Sequence, residues 1–302
     1  AAPLAALVPA YRGTRFAAAA ADSGAPPRVA MTIDDAVSRD WPANLDAFDA
    51  LLATLDELSV KALFFVIANN ASLSTTGEGL LRRASERGHE IGNHGLADAD
   101  MTVMGKAEFG EMLDAWELHL RGVLGRWPAE GAHRKWFRPA KGTMSQVMAG
   151  VLEERGYDIS LPDIWSGDSE LIDPGFHARV LANAPCDGSV LLMHVPDLAW
   201  GSQINDVLPV VVPILRERGF SFVGMSELFE GSGSPSTPRL ALGLLILSSV
   251  ALSAALSLAS LSCYCRAAYG RFGRRKDMDC DLLLPLTYSP PETELQRCEA
   301  TP

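Results

Sequence analysis

The sequence predicts an α/β domain of parallel strands with covering helices, open or closed into a barrel, followed by a single transmembrane helix. Three observations carry this expectation. Strand-like and helix-like stretches alternate about seven times between Val29 and Glu230, the order of an α/β fold. Asp34, Asp35, His94, Arg138 and His194 each stand at or just past the end of an expected strand, where such folds gather their active residues. A run of 26 residues without a charge, Leu240 to Cys265, follows a Gly/Ser/Pro linker.

The first strand, Val29 to Ile33, runs into two adjacent carboxylates, Asp34 and Asp35. Neighbouring strand residues face opposite ways; at a strand end that alternation relaxes, and both acids can converge. Two readings fit: a metal ligand beside a general base, or a polar turn whose Asp caps the helix beginning near Pro42. That helix is expected because Leu45, Phe48, Leu51, Leu52, Leu55 and Leu58 recur at helical spacing. Val60 to Ala68 reads as a buried strand, Asn69 to Gly79 as a loop, and Leu80 to Arg87 as a helix stopped by Gly88. His89 to His94 is a short strand ending in a polar cluster. Glu108 to Leu124 is a helix with Phe109, Met112, Leu113, Trp116 and Leu120 on one side. Trp136 and Phe137 lead into Arg138-Pro-Ala-Lys-Gly142. Gln146 to Arg155 is a helix closed by Gly156, and Tyr157 to Leu161 a strand. Phe176 to Ala182 is a short helix, and Ser189 to Met193 a strand ending at His194. Asn205 to Arg218 is a helix closed by Gly219, Phe220 to Val223 is the last strand, and Ser226 is placed to cap a final turn.

With 302 residues, 48% of them hydrophobic, the chain can build one large core and something extra. The net charge of -11 excludes the broad basic surface that nucleic acid requires. Five cysteines, four of them in the last forty residues, argue against a disulfide scaffold; Cys186 reads as a lone buried thiol. Residues 1–27 are Ala-rich, as in a leader remnant or disordered lead-in. The folded domain is expected over 28–230 and a flexible linker over 231–239. At about 1.5 Å per residue, 240–265 is long enough to cross a hydrocarbon layer of about 30 Å. Arg266, Arg271, Arg274, Arg275 and Lys276 follow directly and open a disordered tail, 266–302. The positive-inside rule puts that tail in the cytosol and the domain on the extracellular or lumenal side of a membrane crossed once.

His94-Gly-Leu-Ala-Asp98 has i, i+4 spacing, which lets both side chains face one point on a helix or tight turn. Asp35, His94 and Asp98 together are a candidate site for Zn²⁺ or another divalent first-row ion, which would lower the pKa of a bound water. Asp34 is then placed to act as general base and His194 to protonate the leaving group. Alternatively, His94 and Asp98 belong to a loop that bonds its own backbone. His89 reads as packing on its strand, and His119 and His177 as lying on solvated faces.

This set of residues resembles the polysaccharide deacetylase family, the NodB-homology carbohydrate esterases, from about Arg28 to Leu228. Thr32-Ile-Asp-Asp35 matches the first signature, [TS]FDD, and implies Asp34 as catalytic base and Asp35 as metal ligand. The second, HxxxH, stands as His94-Gly-Leu-Ala-Asp98, with Asp98 in place of a histidine. The third, RxPxG, is approximated by Arg138-Pro-Ala-Lys-Gly142, with Lys141 where the family often has tyrosine; Arg138 is implied to orient the base. The fourth, DxxSxDW, stands as Asp163-Ile-Trp-Ser-Gly-Asp168, with Ser169 in place of tryptophan and Trp165 able to fill in. Asp168 is implied to pair with Arg138 and tune the catalytic histidine. The fifth, LxxH, gives Leu191-Leu-Met-His194, with His194 as acid and Leu191 or Leu192 lining an acetyl pocket. Lys141, Trp165 and Leu192 are thus the implied substrate contacts, and Trp41, Trp165 and Trp200 sit in loops suited to a sugar groove. The resemblance implies a distorted (β/α)7 barrel of the NodB-homology type. The implied reaction is metal-assisted removal of acetyl groups from N-acetylated amino sugars, with a chitin-like carbohydrate substrate and acetate as product. Two rival readings stay open: a catalytically impaired carbohydrate-binding module held at a membrane, and a hydrolase of another non-peptide C–N bond.

Overall fold

The computed structural model describes residues 26–38, 42–71, 75–128, 134–196 and 203–230. Along this stretch strand and helix alternate as β1 (Arg28–Ala36), α1 (Pro42–Glu57), β2 (Ala62–Val66), α2 (Ala68–Ala71), α3 (Thr75–Glu86), β3 (Glu90–Asn93), α4 (Lys106–Leu124), β4 (Lys135–Phe137), α5 (Gln146–Glu154), β5 (Tyr157–Ile159), β6 (Ile164–Trp165), α6 (Pro174–Asn183), β7 (Ser189–His194), α7 (Ile204–Glu217), β8 (Ser221–Phe222) and α8 (Met225–Leu228). The strands pair in parallel in the order β5-β4-β3-β2-β1-β7-β6, and β8 also pairs with β1. Consecutive helices cover the outside: α6 packs on α7, α7 on α1, α1 on α3, α3 on α4 and α4 on α5.

Parity along the strands decides what faces where. In β1, Val29, Met31 and Ile33 point outward into the main core under the helices, as do Phe64 of β2, Phe137 of β4 and Leu191 and Met193 of β7. The alternate residues Ala30, Leu63, Phe65, Trp136 and Val190 point inward and form a second, smaller core, plugged by Met225 and Leu228 of α8. The inner face is therefore apolar at the bottom. At the C-terminal ends of the same strands it turns polar, with Thr32 and Asp34 on β1 and His194 on β7.

The inner core is tight around Phe65. A methyl group at Gly92 of β3 would lie 2.8 Å from two atoms of that ring and 3.3 Å from Leu63 Cδ1, and Phe65 is fully buried. Gly92→Ala is expected to lower stability by about 1–3 kcal/mol, the usual cost of overpacking, read from the midpoint of denaturant unfolding.

Several expectations need correction. The barrel is a curled, open sheet: among the described residues β5 and β6 stand at its two edges. Those strands have three and two residues, too few ladder bonds to close a seam. Among the described residues there are eight strands rather than about seven, the extra one being β6, which holds Trp165 in place of the expected loop. Helix α2 and the first turn of α3 occupy part of the loop expected over Asn69 to Gly79. Ser226 caps nothing; its backbone N–H and hydroxyl bond the Glu90 carboxylate, which also accepts from Trp136 Nε1. His177 is fully buried, with Nε2 2.7 Å from Leu171 O, and Cys186 is exposed. His89 packs as expected, accepting from Ala62 N and meeting the Phe64 ring edge-on.

The single transmembrane helix is likewise corrected. Among the described residues no helix is long and apolar enough to cross a membrane. The longest, α4 with 19 residues, carries Lys106, Glu108, Glu111, Asp114, Glu117 and Arg121 along its length and buries only the face that meets the sheet. The stretch 240–265 lies outside the described residues, as do the linker, the tail and residues 1–25. The membrane partner and the single-pass, extracellular or lumenal placement have no spanning helix among the described residues to rest on, and are withdrawn.

Candidate active site

A break in regularity at the end of β1 builds the site. Register against β2 shifts between Ile33 and Ala36, and Asp35 takes a left-handed φ of 65°, a conformation costly for most side chains and better tolerated by Asp. Such a bulge re-aims a side chain that strand alternation would send outward. Asp34 and Asp35 therefore both face the same opening, although they are sequence neighbours. Opposite them, β7 pairs Asp34 with His194.

Asp34 is held by Arg138, whose Nη1 donates to Oδ1 at 2.6 Å. The guanidinium is buried, and four of its five N–H groups have partners. Nη1 also donates to Thr32 Oγ1, Nε to Ser160 O and Nη2 to Ser160 Oγ, while its carbon sits 4.2 Å above the Phe65 ring. Thr32 Oγ1 in turn donates to Leu191 O at 2.7 Å. Burial pulls the Arg138 pKa down, and the Asp34 carboxylate opposes that pull. A buried cation is tolerated when it is paired and its remaining donors are satisfied.

His94 follows β3 and is buried. Its Nδ1 lies 2.8 Å from Arg138 O; a carbonyl only accepts, so Nδ1 carries the proton and Nε2 presents a lone pair. That Nε2 lies 3.5 Å from both Asp34 Oδ2 and Asp35 Oδ1. Nε2 therefore faces one carboxylate oxygen from each of the two aspartates. Desolvation raises the Asp35 pKa, and His94 and His194 partly offset this.

His194 is oriented by Asp168. Nδ1 lies 3.0 Å from Asp168 Oδ1, and the backbone N–H donates to Oδ2 at 2.7 Å. Trp165 Nε1 also donates to Oδ1, its ring edge-on to the imidazole at 6.3 Å. Burial alone would lower the His194 pKa, but the bond to Asp168 and the charges of Asp168, Asp34 and Asp35 push it up to about 9. Asp168 is fully buried; burial would raise its pKa, and the bonds from His194 and Trp165 hold it below the usual range.

Asp34, Asp35, Arg138, Trp165 and His194 line a cavity of about 510 Å³ together with Asp98, Lys141 and Leu192. Leu192, rather than Leu191, faces it, and Trp165 is 47% exposed there. Trp41 and Trp200 lie outside the described residues. Asp98 is the expected ligand that does not join His94 and Asp35: its Oδ2 accepts from Lys141 Nζ at 2.5 Å. Nor does Asp168 pair with Arg138, whose carboxylate partner is Asp34. Sequence reasoning missed Thr32 and Ser160. Thr32 was within reach, because it stands two residues before Asp34 and so shares its face; Ser160 directly follows β5.

The donors fit a divalent ion at two positions and not at the third. Two atoms each about 2.1 Å from one ion at tetrahedral angles stand about 3.5 Å apart, the separation of Asp35 Oδ1 from His94 Nε2. Asp34 is committed to Arg138 and Asp98 to Lys141. Among the described residues no group of three or more His, Cys, Asp or Glu side chains is arranged to hold a metal ion.

Comparison with known proteins agrees with the fold. A sequence model of the family Polysaccharide deacetylase matches residues 21–160. A bifunctional xylanase/deacetylase of Pseudobutyrivibrio xylanivorans is 25% identical over 205 residues, 68% of this chain and 31% of that protein. A peptidoglycan-N-acetylglucosamine deacetylase of Listeria monocytogenes is 25% identical over 206 residues, 67% of this chain and 39% of that one. The chain thus spans about a third of the length of these two relatives. Among solved structures, a family 4 acetyl xylan esterase from Clostridium thermocellum in complex with a cobalt ion superposes with a TM-score of 0.58 at 25% identity, covering 69% of this chain and 93% of that one. With the bulged double aspartate, the buried arginine behind it and the histidine on the facing strand, these matches show a NodB-homology, polysaccharide-deacetylase-like fold and family.

Proposed function

We propose that this chain is a deacetylase-type hydrolase acting on N-acetylated amino sugars of a chitin-like oligo- or polysaccharide and releasing acetate. The observation that carries the reading is the facing of a carboxylate and an imidazole across one cavity. Asp34 lies bonded to Arg138 on one strand, and His194, raised to about 9 by its carboxylate partner, lies on the next. Amide hydrolysis needs that division: a group that takes a proton from water and a group that gives one to the departing amine.

Asp34 takes the proton. Arg138 keeps one of its oxygens occupied, which leaves Oδ2 facing the cavity side of His94. His194 gives the proton; at neutral pH it is charged, and Asp168 fixes which ring nitrogen faces the amide. Leu192 offers the acetyl methyl an apolar wall, and the exposed Trp165 ring offers a sugar face a stacking surface. Asp35 and His94 would hold a divalent ion, Zn²⁺ or another first-row metal, with Asp98 as third ligand once it leaves Lys141. Such an ion supplies a Lewis acid that acidifies water and polarises the amide carbonyl. Its likeness to the relatives above supports the substrate class.

One observation favours a second reading, a sugar-binding domain without turnover: the Asp98–Lys141 ion pair takes up the third expected ligand. One experiment separates the two. The full chain is incubated with N-acetylglucosamine oligomers, acetylated xylan and small amides, before and after treatment with a chelator, and acetate is measured. The enzyme reading expects acetate from the amino-sugar oligomers, lost with the chelator and regained with Co²⁺ or Zn²⁺. Oligomer binding without acetate under every metal condition would leave the binding domain.

A further inference from the structure

The chain departs from its family pattern at two cavity positions, Asp98 for histidine and Lys141 for tyrosine, and these two residues touch. Lys141 Nζ donates to Asp98 Oδ2 at 2.5 Å, across 43 residues of sequence. Asp98 is carried on the turn after His94 and Lys141 on the turn after Arg138, so each hangs from a segment that the catalytic centre already holds. Both side chains are about half exposed, 44% and 49%. The contact therefore depends on the two charges and not on packing, and either partner is free to leave. A neutral imidazole at position 98 would give an ammonium no charge to pair with, so the two departures make sense together.

We propose that Lys141 is a built-in counter-ion that competes with a divalent metal for Asp98. This rests on the metal reading given above. Asp98 has one cavity-facing charge to offer. While the ammonium holds it, a metal ion finds only Asp35 and His94; when the metal takes it, Lys141 has to swing away on its four-carbon stem. Metal affinity is then set by this exchange, and high salt, which screens exposed pairs, narrows the effect of Lys141.

Co²⁺ titration of the full chain by calorimetry, with the visible absorption of bound Co²⁺ as a second signal, tests this. Lys141→Met is expected to tighten binding about tenfold at low salt, with a smaller gain at 1 M salt. Asp98→His is also expected to tighten binding, and adding Lys141→Met to it should then gain less than twofold. Equal dissociation constants for the wild type and Lys141→Met overturn the proposal, as does a full tenfold gain in the Asp98→His background. Asp35→Ala separates the levels. If it leaves Co²⁺ affinity unchanged, the metal site itself is refuted; if it weakens binding while Lys141→Met does nothing, only the competition is.

Discussion

Asp34→Asn is expected to reduce kcat/KM for acetate release by about 10²–10⁴, the span attributed to a positioned general base. The substitution removes one charge and almost no volume. The amide cannot accept a proton from water, and it also leaves the Arg138 guanidinium buried without a counter-charge. Stranding one member of a buried pair costs about 3–5 kcal/mol, so thermal stability should fall together with activity. The two losses are separable. Arg138→Met in the Asp34→Asn background removes the stranded charge, and the double variant should regain much of the lost stability while acetate release stays at the single-variant level. If the single variant retains more than a tenth of wild-type kcat/KM, Asp34 is not the base.

Asp168→Asn is expected to move the basic limb of the kcat/KM–pH profile from near pH 9 down by about 1–2 units. His194 must be protonated to act as an acid. Its raised pKa keeps it so up to about 9, against a burial effect that works the other way. Removing the Asp168 charge leaves only Asp34 and Asp35 to oppose burial, so the imidazole sheds its proton at lower pH and the rate falls there. Stability follows the same sign. Because the folded-state pKa is above the unfolded value of 6.5, the ion pair's contribution is complete below pH 6.5 and is lost as pH rises through about 9. Wild-type unfolding free energy should decline across that window, and the variant's decline should be smaller and end at lower pH. An unmoved basic limb would show that another group carries it.

Much of this arrangement was legible because strand parity is legible. Once Val29, Met31 and Ile33 are read as outward, Thr32 and Asp34 are inward, and the same counting puts His94, Arg138 and His194 on the inner face. Asp35 breaks the count; only the bulge brings it back, and no local pattern in Thr32-Ile-Asp-Asp35 announces a shift of register. The Asp98–Lys141 pair was hidden for a different reason. Each residue was assigned a separate role from its own motif, and their contact is tertiary. The same limit explains the open seam, since the alternation of strands and helices counts strands without saying whether the first and last on the path meet. The apolar run at 240–265 is a purely local signal, and among the described residues it finds no counterpart long enough to span a bilayer.

The pairing of β1 with β7 has a consequence for how the protein is made. Thr32 and its partner Leu191 are 159 residues apart, so during synthesis the first strand emerges long before the neighbour that completes its ladder. A nascent chain halted ahead of Ser189 already carries Asp34, Asp35, His94 and Arg138, yet it lacks His194 and shows a naked apolar edge where β7 belongs. Truncated products should therefore be inert and prone to clump.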